Sequence, residues 1–177
     1  MRKTAGFLKF FVTFAIVVGI LGVLLLLVAE GYLLAAGNLS AISGAITISG
    51  TGITPETINA MKPFLLIAIG LTLVALVFSI MGGFKTRKAL TECQEERPFS
   101  QLCIDNIKAS ARLDIISGII GIVSTVILTV AASSITLNGT SVKDTTATVH
   151  LGFILNAVQK YLLYHIACYG QSLENKQ

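Results

Sequence analysis

Uncharged runs rich in Leu, Ile and Val alternate along the chain with short segments that hold nearly all of its charge. The first run extends from Phe10 to Ala29, between Lys9 and Glu30, and the second from Pro63 to Phe84, between Lys62 and Lys85. The third extends from Ile115 to Val142, between Asp114 and Lys143. About 20 apolar residues in a helix cross the ~30 Å hydrocarbon core of a bilayer, so each run is long enough to span. A fourth run, Thr145 through about Tyr169, is as long but holds Lys160. The pattern predicts an all-α membrane protein: a four-helix transmembrane bundle with spans at about 8–34, 63–86, 113–135 and 146–169, a cytoplasmic helical hairpin and short outer loops. One bundle with short loops fills the chain, so residues 1–177 are expected to form a single domain.

The segments between the runs carry their own local signals. Thr54, Pro55 and Glu56 read as an N-cap, a first-turn proline and a first-turn acid, which predicts a short outer helix meeting the second span at a bend at Pro63. The outer segment Ala45 to Gly52 alternates Ile with Thr, Ser and Gly and suits a short strand pair or an irregular cap. Around Asn138-Gly139 the β-formers give a hairpin signal. A plain loop turn is the preferred reading there, because an isolated hairpin is marginal in water. Asn138-Gly139-Thr140 also matches a glycosylation sequon, a pattern short enough to arise by chance. Past the second span the helix should continue to about Cys93 and stop before Pro98, with Ser100 capping a new helix that runs into the third span.

Charge decides the orientation. Eleven of the 13 Lys and Arg residues (Arg2, Lys3, Lys9, Lys85, Arg87, Lys88, Arg97, Lys108, Arg112, Lys160 and Lys176) fall on one side, against Lys62 and Lys143 on the other. The positive-inside rule then predicts a multi-pass protein of the cell membrane with both termini and the middle segment in the cytoplasm. The first run is longer than the ~7–15 apolar residues of a secretory signal, so cleavage near Ala35 and Ala36 is not expected. A mean hydropathy of +0.82 and only 12% charged residues exclude an ordinary soluble domain. The net charge of +4 follows from the loop bias and points to anionic lipid, not to nucleic acid.

Few residues suggest chemistry. Lys160 and Asn156, one helical turn apart, form a candidate intramembrane polar site, with Tyr164 one turn on. Snorkelling of the Lys160 ammonium to the headgroups is the simpler expectation. Cys93, Cys103, His165 and Cys168 are the one group with zinc-ligand residue types on one side of the membrane, but the Cys93 to Cys103 spacing is not a zinc motif, and buried free thiols are expected. No metal, cofactor or catalytic residue is therefore predicted, and disulfides are not expected in a reducing compartment. Ala75, Ser79 and Gly83, and Ser117 with Gly121, recur every four residues as in close helix packing. His150 is expected at the outer interface.

The segment Phe84 to Ile116, above all Arg97-Pro98-Phe99-Ser100 followed by Asn106-Ile107-Lys108, resembles a bacterial membrane family with no assigned chemistry, domain of unknown function 2975. The resemblance implies four spans, a cytoplasmic middle hairpin and a bacterial inner-membrane location. It also implies pairing with a regulator, since genes of similar proteins often neighbour those of small helix-turn-helix regulators. Similar proteins often finish in an acidic stretch and a short apolar tail, whereas this chain ends Leu173-Glu174-Asn175-Lys176-Gln177.

On these grounds the expected function is that of a non-enzymatic membrane sensor, regulator or partner-binding subunit. Its candidate partner-binding residues are Lys85, Arg87, Lys88, Glu92, Glu95, Glu96, Arg97, Phe99 and Ser100, facing a cytoplasmic regulator, another membrane subunit or a second copy. The alternative is a small transporter or channel subunit with a polar path near Asn156 and Lys160.

Overall fold

The computed structural model describes residues 2–35, 55–133, 136–137, 140–141 and 152–174. Helix α1 (Arg2–Ala35) is followed by α2 (Pro55–Gln94), α3 (Gln101–Ser133), the strands β1 (Thr136–Leu137) and β2 (Thr140–Ser141), and α4 (Gly152–Glu174). Proline suits the first position of α2, where its missing N–H has no intrahelical partner. The separate outer helix expected before the second span does not form. Pro63 lies inside one continuous 40-residue helix, near its N-terminal end.

Among the described residues three helices are long and apolar enough to cross a membrane: Lys3–Ala35, Lys62–Gln94 and Gln101–Val130. This is compatible with a multi-pass membrane protein. Their surfaces agree, since Phe10, Leu25 and Val28 on α1 are 67%, 71% and 71% exposed. Side chains of that size left uncovered in series need lipid or protein around them. Helix α4 does not join the three. Asn156, Gln159, Lys160 and His165 dilute its apolar sequence over residues 152–174, and the predicted start at 146 lies outside the described residues.

The loop turn preferred at Asn138-Gly139 is corrected to a hairpin. β1 and β2 pair antiparallel, Thr136 with Ser141 and Leu137 with Thr140, so two residues make the connection. Outside the described residues lie the predicted cap at Thr54, the 45–52 segment, the sequon's Asn138, Ala36, Lys143, His150 and the tail beyond Glu174.

The chain divides into two compact units. Unit 1 comprises residues 1–23, 74–119 and 150–177, and thus parts of all four helices; unit 2 comprises 24–73 and 120–149. In unit 1, Ser110 Oγ donates to the Gly82 carbonyl at 3.0 Å and Ser117 Oγ to the Ala75 carbonyl at 2.8 Å. In unit 2, Ser124 Oγ donates to the Ala68 carbonyl at 2.9 Å and lies 3.0 Å from Thr72 Oγ1. The serines of α3 and the small residues of α2 that receive them are each seven apart, the antiparallel form of a heptad contact. Ala and Gly at the receiving positions let a serine reach a neighbouring backbone.

The α2–α3 connection is fixed at both ends. Arg97 N donates to the Glu92 carbonyl at 3.0 Å and Glu96 N to the Cys93 carbonyl at 3.3 Å, the two bonds of a Schellman stop. The left-handed residue that the motif requires is Glu96, at φ 61°. Helix α2 therefore ends by its own C-cap before Pro98 can act on it. Glycine takes this conformation without strain, so Glu96→Gly should stabilise the protein by about 1 kcal/mol in thermal unfolding. On the other side, Ser100 Oγ accepts from Cys103 N at 3.1 Å, the predicted N-cap. Ser100→Ala should cost about 1 kcal/mol and raise hydrogen exchange across residues 101–108, an effect confined to the first turns of α3.

Candidate functional site

Within unit 1 a cavity of about 850 Å³ is lined by all four helices. Helix α1 contributes only apolar or small residues to it, among them Leu8, Val12, Ile16 and Gly19, while α3 and α4 contribute most of the polar groups. On the cavity wall Lys160 Nζ lies 2.6 Å from Asp114 Oδ2 and 2.7 Å from Ser110 Oγ. Ser110 is 1% exposed and also lies 2.8 Å from Thr86 Oγ1. The result is a chain of polar contacts, Thr86 to Ser110 to Lys160 to Asp114, linking α2, α3 and α4. Ser117, Asn156 and Gln159 line the same cavity.

Snorkelling is the simpler expectation for Lys160, and the structure gives its ammonium a protein partner. Its ammonium turns to Asp114, with the two side chains 25% and 16% exposed. The physical reason is that a carboxylate stands within reach. A charge paired and hydrogen-bonded at short range does not need headgroup water. Asn156 is exposed and Tyr164 does not join the lysine; Lys108 Nζ lies 3.4 Å from the Tyr164 hydroxyl and 5.0 Å from its ring centroid.

The α2–α3 turn separates its candidate residues into two groups. Glu92 is 9% exposed and accepts from Ser100 Oγ at 2.9 Å, so both side chains hold the turn together. Phe99 packs on Gly170 of α4 with no room for a Cβ at that position. Lys88, Glu95, Glu96 and Arg97 are exposed, whereas Lys85 and Arg87 are half-buried. Arg97 pairs with Glu95, whose hydrogen bond, with the charges of Glu92 and Glu95, holds the guanidinium pKa above its ordinary value.

Of the cysteines, Cys93 and Cys103 are brought together, with their sulfurs 3.9 Å apart. His165 instead sits edge-on against Tyr164. Among the described residues no group of three or more His, Cys, Asp or Glu side chains is arranged to hold a metal ion. The small-residue rows behave unequally. Gly83 packs on Ile16, Ser117 bonds the Ala75 carbonyl, and Gly121 faces open space.

Ser110 and Asp114 went unread in the sequence. Asp114 stands at the edge of an apolar run and reads as a boundary marker. The signal that reveals both is the seven-residue recurrence of Ser110, Ser117 and Ser124, which places Ser110 on the buried face, with Asp114 one turn further on the same side.

No protein-family model, curated protein or solved structure matches the chain. The resemblance of the 84–116 segment to the family named above therefore rests on its quoted residues alone.

Proposed function

We propose that the chain is a non-enzymatic, four-span membrane protein whose cavity binds a small polar or amphipathic solute at Lys160 and Asp114, as a transporter or channel subunit does. The observation that carries this reading is the ion pair on the cavity wall, 2.6 Å long and backed by buried Ser110. Ionisable groups inside a membrane are costly to keep and mark solute or ion paths by default. A mostly apolar cavity with a few converging polar groups is also the usual form of a small-molecule site. In this reading α4 crosses the bilayer because its charge is neutralised by α3.

The test is cysteine accessibility, in a variant whose native cysteines are serine. Asn156→Cys should react with a small water-soluble methanethiosulfonate, whereas Ile154→Cys, exposed outside the cavity lining, should not. Equal protection of both would mean a dry cavity and would end the proposal.

A second reading, docking at the α2–α3 turn, is favoured by the exposure of Lys88, Glu95, Glu96 and Arg97 on a connection capped at both ends. The partner would be a cytoplasmic regulator, another membrane subunit or a second copy. Glu92 and Ser100 support the turn and are not free to bind. Changing Glu95 and Glu96 to Gln should abolish co-purification of such a partner, and removal of residues 40–52 should not; the reverse pattern would place recognition on the outer side.

A further inference from the structure

The ends of α2 and α3 carry a pair of thiols that the solute site does not use. Cys93 stands in the last turn of α2 and Cys103 in the first turn of α3, and their sulfurs are 3.9 Å apart. The two differ in access. Both line the cavity, but Cys103 is fully buried at 0% exposure, with Sγ 3.6 Å from the Ala89 carbonyl, whereas Cys93 is half-buried. The turn between them is held by the Schellman bonds, the Ser100 cap and the Glu92–Ser100 hydrogen bond, so the sulfurs are presented to each other by a fixed connection.

We propose that Cys93 is a thiol-modification site for low-molecular-weight disulfides, and that Cys103 resolves it into a Cys93–Cys103 disulfide. The thiolate of Cys93 attacks one sulfur of the small disulfide RSSR. The S–S bond of the reagent breaks, one RS⁻ leaves and takes up the proton that Cys93 lost, and Cys93 carries a mixed disulfide. Cys103, deprotonated in turn, attacks Cys93 Sγ; the second RS⁻ leaves and takes that proton. In sum two protein thiols and RSSR give one protein disulfide and two RSH, with the two electrons passing from the protein thiols to the reagent. Only Cys93 has to meet the reagent, which fits the burial of Cys103. Intracellular disulfides of this kind are typically transient and redox-sensing, and in a reducing pool the dithiol is the resting form. Oxidation would staple the two helix ends and withdraw the Cys93 thiol from the cavity wall.

The full-length protein in lipid nanodiscs is treated with oxidised glutathione, quenched in acid, alkylated after denaturation and digested for mass spectrometry. Wild type and Cys168→Ser should both lose the Cys93 and Cys103 thiols together and yield an intramolecular Cys93–Cys103 peptide pair, reversed by dithiothreitol. Cys103→Ser should instead stop at glutathione on Cys93, and Cys93→Ser should leave Cys103 free. If wild type retains stable glutathione on Cys93, pairs Cys93 with Cys168 or with another copy, or keeps both thiols, the inference is wrong.

Discussion

Removing both members of the Lys160–Asp114 pair should cost less than the sum of the two single removals. Lys160→Gln leaves the Asp114 carboxylate facing an apolar cavity, and Asp114→Asn leaves the Lys160 ammonium with Ser110 as its remaining partner at 2.7 Å. Breaking a fully buried pair costs about 3–5 kcal/mol; with side chains 25% and 16% exposed, we expect about 2–3 kcal/mol for each single change. The double variant should lose less than the sum by a coupling of about 1–2 kcal/mol, because no unpaired charge remains. Fully buried Cys103 supplies the readout: the temperature at which it becomes alkylated in detergent tracks opening of unit 1. Additive losses would mean that the two groups act independently.

Gly82→Leu should be the other severe change. A Cβ at Gly82 would lie 3.0 Å from Asp114 Oδ1 and 3.5 Å from Leu113 Cβ, and the glycine's carbonyl receives Ser110 Oγ at 3.0 Å. Leucine there has to push α3 away, which strains the packing and breaks both the serine contact and the ion pair behind it. Overpacking alone costs about 1–3 kcal/mol, and with the polar contacts the loss should reach about 4 kcal/mol. Gly121→Leu is the control. Nothing lies within 4 Å of its Cβ, so stability should hold or rise slightly with the better helix former. Equal losses at the two glycines would show that small residues on these helices matter for propensity and not for close approach.

The contrast between Gly82 and Gly121 also marks how far the sequence was legible. Long apolar runs and the Ser100 signal carried α1, α2, α3 and the capped turn, because each depends on a few neighbouring residues. The preference for a plain loop at Asn138-Gly139 let general hairpin instability outweigh a specific turn signal. Pro63 reads as a bend between two helices because a proline's local cost is visible in sequence, whereas the continuity of α2 through it is not. The site was half legible. Lys160 and Asn156 stood out as polar residues in an apolar run, but the partner Asp114 lies 46 positions away and was hidden by its place at a run's edge. Glu92 and Ser100, both polar and near one turn, resembled a docking surface and prove to bond each other. Pairings across helices are set by packing, which one residue's spacing to its neighbours does not encode.

Helix α4 is the least apolar of the four, and the proposed function requires it to cross the bilayer with Lys160 neutralised by Asp114. The most direct measurement is to place single cysteines at Gly152 and Glu174, its two ends, in a cysteine-free background, and label intact cells with an impermeant maleimide. The account predicts that Gly152→Cys labels from outside and Glu174→Cys only after permeabilisation. Labelling of both ends from the same side would contradict it.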